Sequence, residues 1–463
     1  MTKKILALVS AMVLTVVCIS GCGEKEMINP DVTTITVWTN QSHSKTSVEK
    51  MVNDFNKTEG KEAGIEIEYK VIEGDSFAKS LELALQTGQG PDLMPLNTIG
   101  VDKMVENGYA AALDDLPGGK EFIDEYRKKG ENLFINGFNT YKGKVYAVPT
   151  EATTRGLIYN KDMFKAAGIV DENGEAKPPQ TFDEMREDAK RLTDKSKNQF
   201  GIVLPQKWKT WVSSDMLTLL QSSVGHNGYN PVTGEYDYSG LAPIINTYKD
   251  IISDGSMYPG ADGIDNDTAR AYFAEGLIGM KIGYSFDVGV LNDQFPAKCD
   301  WGVAPLPVVS TSNIYKQVEN LNTSFCINAS SIEAKGSDKL MACVKWFASD
   351  EFVTEMYKEG FSIPINWNTV KDIEVNKEKT GWKEFSAMTE ISSIANNTPE
   401  NDMTGYMTLN ERIRNDVLAG KVSAEDMLEQ YGKDITAATK KYYDTHPDES
   451  ADEYISKTWD IKR

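Results

Sequence analysis

The sequence predicts an α/β protein built as two lobes, and three observations carry that expectation. Apolar residues alternate and then recur at helical spacing in turn along the first part of the chain. A turn-rich stretch, YKGKVYAVP from Tyr141 to Pro149, separates this part from a second one rich in helical patterns. The 463 residues are enough for two to three domains at roughly 150 residues each.

Each element follows from its pattern. Thr34-Ile35-Thr36-Val37-Trp38 alternates as a strand, and Val48, Met51, Val52 and Phe55 share one helical face. Ile65, Ile67, Tyr69 and Val71 alternate again, giving a strand-helix-strand unit of the kind that seeds a parallel sheet. Phe77, Leu81, Ala84 and Leu85 form a second apolar helical face that ends near Gly88 and gives way to PDLMPL. There Gly90 and Pro91 are expected to turn the chain so that Asp92 and the run Leu93 to Asn97 line the mouth of the sheet, where α/β proteins tend to bind ligands. In the second part LIYNKDMF leads into a helix, Pro178-Pro179 interrupts, and Thr181 with Glu184 forms a capping box ahead of Met185, Ala189 and Leu192. Further helical patterns cover Met216 to Leu220, Leu241 to Ile252 and Lys339 to Tyr357, with no internal repeat. Linear composition does not say which late segments belong to which lobe.

The start of the chain has the order of a bacterial export signal: Lys3 and Lys4, an apolar run from Ile5 to Cys18, then small residues. The run is short for a permanent bilayer span. Ile19-Ser20-Gly21-Cys22 resembles the lipobox of bacterial lipoproteins, which implies removal of residues 1–21 and acylation of Cys22, including a palmitate-type chain; an ordinary secreted protein cut nearby is the alternative. More than one acyl chain is what holds a protein stably on a membrane surface. Residues 22–33 are polar and read as a tether. The expected location is the cell membrane, lipid-anchored on its extracytoplasmic face.

The formal charge is −20, and loss of Lys3 and Lys4 makes it more negative, so the chain lacks the basic footprint that nucleic acids require. Cys299, Cys326 and Cys343 remain after processing, an odd number set mostly in apolar context, which favours free thiols over a disulfide. His43, His226 and His446 lie in no metal-binding spacing, and PGADGIDND from Pro259 to Asp267 lacks the order of an EF-hand loop, so a solvated loop is expected there and no metal or cofactor.

Several stretches in order are similar to the extracellular solute-binding proteins of ABC importers, family 1, the maltose-binding-protein-like group. They are ITVW (Ile35 to Trp38), LALQTGQGPDL (Leu83 to Leu93), YKGKVYAVP, GLIYNKDMFKAAGI (Gly156 to Ile169), PPQTFDEM (Pro178 to Met185), YFAEGLIGMKIG (Tyr272 to Gly283), WGVAPLP (Trp301 to Pro307) and CINASS followed by GFSIPIN (Gly360 to Asn366). The likeness runs from about Thr33 to about Thr436. It implies a periplasmic-binding-protein-like fold: two α/β lobes joined by hinge strands, with a ligand cleft between them. Hinge crossings are implied near Val148 to Glu151, Leu321 to Thr323 and Ile363 to Asn366. The lobes would then comprise residues 34–149 with about 323–365, and residues 150–322 with about 366–463.

The implied function is capture of a carbohydrate, an oligosaccharide above all, by hinge closure and delivery to the membrane permease subunits by a monomeric, lipid-anchored, non-enzymatic receptor. Glu151 stands where the family presents a sugar-binding glutamate, or it caps the hinge in a salt bridge. Asn40 and Asn97 stand at strand ends facing the cleft, or serve local turns. Leu96 replaces the aromatic that maltose-binding proteins carry beside this position, a departure that counts against maltose. Trp208 and Trp211, in QKWKTWVSS, are candidate stacking platforms or core-edge tryptophans. Tyr284 and Phe286, in GYSFDVG, would present aromatic faces to a ligand or pack the core, and Asp287 would bind a hydroxyl or a cation. Trp367 and Tyr406 are further candidates, whereas Trp38, Tyr159 and Trp301 are expected in the core. The rival classes are an extracellular glycoside-acting enzyme, which also needs carboxylates in a cleft, and a surface sensor or adhesin on the same fold. No nucleophile elbow, phosphate loop or metal spacing supports the enzyme.

Overall fold

The computed structural model describes residues 32–72, 76–130, 133–207, 211–365, 370, 372–374, 379–396, 398–399, 406–447 and 449–463. The first sheet takes its strands in the order Phe325–Ile327, Leu93–Pro95, Thr33–Thr39, Ile65–Val71. Thr33–Thr39 is parallel to both of its neighbours, and Phe325–Ile327 runs antiparallel at the edge. Helices cover both faces. Ile35, Val37 and Leu93 pack with Val48, Val52 and Phe55 of the helix Lys45–Lys57 and with Val344 and Phe347. On the other side Met94 and Leu96 meet Phe77, Leu81 and Met104. This alternation along each strand makes three layers, and it is the reason the period-two and helical patterns could be separated in the sequence.

The second sheet has the order Trp301–Ala304, Arg155–Asn160, Ile278–Tyr284, Phe200–Ile202. Leu157, Met280 and Ile282 join one core with the helices Phe182–Leu192, Leu241–Ser253 and Ala424–Thr445, while Ile158, Val303 and Ile278 join another with Phe273, Trp382 and Phe385. Gly201 lets the helix Phe182–Leu192 lie close on the sheet, because a Cβ there would come 2.3 Å from the Ala189 Cα. The expected capping box forms: the Glu184 amide donates to Thr181 Oγ1 at 3.2 Å, and Glu184 Oε2 accepts from the Thr181 amide at 3.2 Å.

A third sheet joins the lobes. Its first hinge strand, Pro149–Thr153, pairs antiparallel with Gln317–Thr323 on one side and with Ile363–Pro364 on the other, and Ser392–Ile394 completes the order next to Gln317–Thr323. Pro364 fits because a proline, having no N–H, belongs on an edge strand. Two expectations need correction. Lys339 to Tyr357 is two helices, Ser337–Phe347 and Asp350–Lys358, because Ser349 adopts an extended conformation and its hydroxyl accepts the Phe352 amide at 3.1 Å. Asp92 does not line a cleft: it is buried, and its Oδ2 accepts the Thr36 amide at 2.8 Å and the Thr36 hydroxyl at 2.9 Å, fastening two strands of the first sheet.

Asp92→Ala leaves the partly buried Thr36 donors without this acceptor. A loss of about 1–3 kcal/mol of unfolding free energy is expected, read as a lower denaturant midpoint with an unchanged slope.

Candidate functional site

In the first sheet the parallel strands end together, at Thr39, Val71 and Pro95. Asn40 and Gln41 follow the first of these ends and Asn97 the third. Both asparagine side chains are exposed, while Leu96 between Pro95 and Asn97 is fully buried in the core. The Asn40 carbonyl accepts the Ser42 amide at 2.9 Å, so the backbone there makes a tight turn that holds the side chain outward.

Glu151 sits in the middle of the first hinge strand, opposite Asn322 on one side and Pro364 on the other. With Gln41, Tyr69, Thr150, Thr323 and Phe325 it lines a small cavity of about 50 Å³ against the first lobe. Its carboxylate accepts the Ser362 hydroxyl at 2.9 Å, and among the described residues no ion pair involves it, so the alternative of a hinge salt bridge is not what forms. The side chain keeps some exposure, yet the surrounding protein disfavours its charged form and raises the carboxyl to about 6 despite the Ser362 hydrogen bond.

The second sheet brings its own strand ends to the same hinge side, at Ile202, Tyr284 and Ala304, with Arg155 beginning the strand paired to Tyr284. A buried network occupies this edge. The Arg155 guanidinium donates to the Val318 carbonyl and to Asn320 Oδ1, each at 3.1 Å, tying the second lobe to a hinge strand, and it lies 5.3 Å over the Tyr284 ring. The Tyr284 hydroxyl donates to Asp215 Oδ1 at 2.7 Å. Burial raises the Asp215 carboxyl to about 6, against the opposing pull of this hydrogen bond and of Lys281 and Arg155. Phe286 stacks on Tyr284 with centroids 5.0 Å apart, and Arg270 covers Phe286 at 5.2 Å. Asp287 is fully buried between Arg270, at 2.6 Å, and Lys281, at 3.4 Å; burial opposes its charge, but the two cations win and hold its carboxyl below the ordinary range.

The expected site residues thus divide by accessibility. Asn40 and Asn97 are exposed, and Glu151 and Phe286 are half-buried. Tyr284 at 2% exposure and Trp211 at 0% present no ring face to solvent in this conformation, the latter lying in the core of the second lobe. Asp287 is occupied by Arg270 and Lys281. Tyr406 is exposed near the start of the helix Leu409–Arg412. Trp208, Trp367 and Cys22 lie outside the described residues. Arg155, Asp215 and Ser362 had not been singled out. A charged residue inside the apolar run TTRGLIYN was the one available signal for Arg155, and nothing local marked Asp215 or Ser362.

Cys299, Cys326 and Cys343 are free, and burial pushes each thiol up to about 12, so none is a ready nucleophile. Asp265 of the PGADGIDND loop caps the helix Asn266–Ala274, accepting the Thr268 amide at 2.9 Å. Among the described residues no cluster of His, Cys, Asp and Glu is arranged to hold a metal, and no helix is long and apolar enough to cross a membrane.

Two lobes with their strand ends turned toward a common three-strand hinge define a hinged receptor for a small solute. Residues 40–352 match the bacterial extracellular solute-binding proteins, and the chain belongs to that family, whose members work outside the cytoplasm. The maltotriose-binding protein of Pyrococcus abyssi (strain GE5 / Orsay) is 25% identical over 303 residues, 65% of this chain and 60% of that one. A Brucella abortus (strain 2308) chain assigned only as a binding protein is 26% identical over 255 residues, and the match spans 58% of its length. The chain therefore spans less than two thirds of the length of these relatives. Among solved structures, the GacH receptor of Streptomyces glaucescens, determined unliganded and with acarbose, aligns over 90% of this chain and 99% of its own with a TM-score of 0.62 at 19% identity. The MalE domain of Bdellovibrio bacteriovorus bound to maltotriose aligns over 89% and 100% with a TM-score of 0.61 at 18% identity. These likenesses fix the fold.

Because burial raises Glu151 from 4.5 to about 6, the unfolded chain releases this proton first as pH rises. Its contribution to stability therefore falls between those two values and is flat above them. Glu151→Gln is expected to remove that part of the slope, measured as the wild-type minus variant difference in unfolding free energy across the same pH window.

Proposed function

We propose that this protein is the substrate receptor of an ABC importer for a carbohydrate, taken up as an oligosaccharide, held between the lobes and delivered to the permease subunits when the hinge closes. The observation that carries the reading is the meeting of polar groups at the hinge: Gln41 of the first lobe and Glu151 of the crossing strand line one cavity, with Asn40 beside Gln41 and Asn97 at a neighbouring strand end. Amide groups both donate to and accept from hydroxyls, and a half-desolvated carboxylate whose one donor among the described residues is Ser362 gains from a further hydroxyl. Phe286 offers part of an aromatic face for the apolar side of a sugar ring. The ligands of the similar proteins, maltotriose and acarbose, support the same class.

Trp208 and Trp367 are proposed as the remaining stacking residues. Cys22 is proposed as the acylated mature N-terminus, so that the receptor stays beside its permease on the outer face of the membrane. Hydrolysis has no role in this reading.

The test is isothermal titration of the purified protein with mono- and oligosaccharides, polyols and amino acids, with the ligand recovered afterwards. Saturable binding of a saccharide recovered intact is expected, weakened at least tenfold by Glu151→Ala. Binding only of a non-carbohydrate, or recovery of cleaved sugar, overturns the proposal.

A further inference from the structure

The helix Ala424–Thr445 runs beyond its last buried residue, Thr439. Ala424, Met427, Leu428, Tyr431, Ile435 and Ala438 are buried in that lobe's core, and the Thr439 hydroxyl bonds the Tyr236 hydroxyl at 3.2 Å. The last turn, with Tyr442 and Tyr443, runs on past this contact. After it the chain returns to the same lobe: the Ser456 amide donates to the Pro231 carbonyl at 2.8 Å, Trp459 Nε1 to the Gly225 carbonyl at 2.9 Å, and the Arg463 amide to the Ile314 carbonyl at 2.9 Å. Residues 442–447 and 449–454 thus lie between two attachments to the second lobe.

What it faces belongs to the first lobe. Asn97 and Tyr141 lie across from Tyr442, Tyr443, Glu449 and Tyr454, and together they bound a groove of about 790 Å³, within the roughly 300–1,000 Å³ typical of small-molecule sites. Asn97 also belongs to the strand ends described above, so the groove opens on the same cleft. We infer that the segment Tyr442 to Tyr454 is an additional wall of the ligand cleft that contacts the distal units of a neutral oligosaccharide and so selects for ligand length; this inference rests on the carbohydrate reading.

The chemistry of the walls supports a neutral, polyhydroxylated ligand. Tyr141, Tyr442, Tyr443 and Tyr454 line the groove with Asp102, Glu449 and Glu453. Within the wall Tyr442 stacks on His446 at 4.1 Å and donates its hydroxyl to Glu449 at 3.1 Å, and Tyr141 donates to Glu106 at 2.8 Å, so the rings are held in place and the second carboxylate oxygens serve as hydroxyl acceptors. Lys142, the lining cation, is held by Glu106 at 3.1 Å, so an anionic ligand would meet a net negative wall. A hinge rotation moves Tyr442 and Tyr454 with one lobe and Asn97 and Tyr141 with the other, which makes the groove narrow as the cleft does. The segment lies beyond residues 40–352, the range matched by the family.

The experiment is calorimetry on the detergent-solubilised full chain with one homologous series of saccharides from monomer to hexamer. Wild-type affinity is expected to rise with length. Tyr454→Ala and Tyr443→Ala are expected to lose about tenfold in affinity for the longest members while staying within twofold of wild type for the shortest. Tyr454→Phe, which keeps the ring, is expected to behave as wild type, and Glu449→Gln, which preserves size, provides a second probe of the wall for the long members should an alanine variant fail to fold. A wild type that binds saccharides with the same length profile as the variants overturns this inference and leaves the carbohydrate reading standing. A wild type that binds no saccharide overturns both.

Discussion

The strand Pro149–Thr153 is hydrogen-bonded on both flanks by strands that themselves pass between the lobes, and the placement of Glu151 and the approach of the two lobes to one another depend on this pairing. Antiparallel pairing fixes Asn322 opposite Glu151 and Leu321 opposite Ala152, so the crossings cannot slide independently. A one-residue slip would exchange the faces and turn Glu151 away from the cavity it lines. Relative motion of the lobes must therefore bend three strands together, with the register shift between Asn322 and Thr323 as the local irregularity where the ladder already departs from regular pairing. Pro149 and Pro364 contribute no ladder donors, which leaves fewer backbone bonds to distort at the two places where the chain leaves the sheet.

The second lobe meets this hinge through buried charge. Lys281, Asp287 and Asp215 are each at most 3% exposed, and Arg155 is 2% exposed. Isolated, any one of them would carry a desolvation cost of several kcal/mol, so the arrangement is tolerable only as a set in which each charge has partners. Asp287 has two cations and the Tyr284 amide, and Asp215 has the Tyr284 hydroxyl. What the set achieves is orientation: Tyr284 is gripped at its backbone by Asp287 and at its hydroxyl by Asp215, and Phe286 lies parallel to it under Arg270. Arg155 passes the same rigidity to the hinge by bonding Val318 and Asn320. Of the aromatic pair only Phe286 reaches toward solvent, positioned by residues that no ligand needs to touch.

Much of the fold was legible because local and tertiary demands agree. Period-two alternation at Thr34 to Trp38 and Ile65 to Val71, and the helical faces of Val48 to Phe55 and Phe77 to Leu85, survive folding because each apolar face meets a layer of its own. The Thr181 capping box needs nothing beyond its own four residues. The break at Ser349 was harder to see, since apolar spacing continues through it and only the cap geometry interrupts the helix. Asp92 and Trp211 share one difficulty: polar sequence context suggests exposure, but Asp92 is buried by its bonds to Thr36, and Trp211 takes the core alternative, joining the inner face of the helix it precedes. Asp215, Arg155 and Ser362 come together from distant parts of the chain, and a single sequence holds no distance information that would link them. Glu151, Asn40 and Asn97 are candidates through the likeness to a family, not through any pattern of their own.

The charge of the protein bears on what the cleft can hold. A formal charge of −20 produces a field that repels anions at long range, but at physiological ionic strength it is screened over about 8 Å, so the groups lining the cleft decide the matter locally. Those groups are again acidic or neutral: Glu151 at the hinge, Asp102, Glu449 and Glu453 along the groove, with Lys142 already paired. A cation would be attracted to such walls, yet a tightly held cation needs several convergent oxygen ligands, and no such cluster exists among the described residues. Hydroxyl groups satisfy the same acceptors one at a time and tolerate their spacing along a groove of about 790 Å³. Tyrosine rings beside the carboxylates match the alternation of apolar ring faces and polar edges along a saccharide chain. On the proposed reading, carboxylates dispersed between aromatic rings, rather than clustered, are what turn an acidic cleft into a receptor for a neutral ligand.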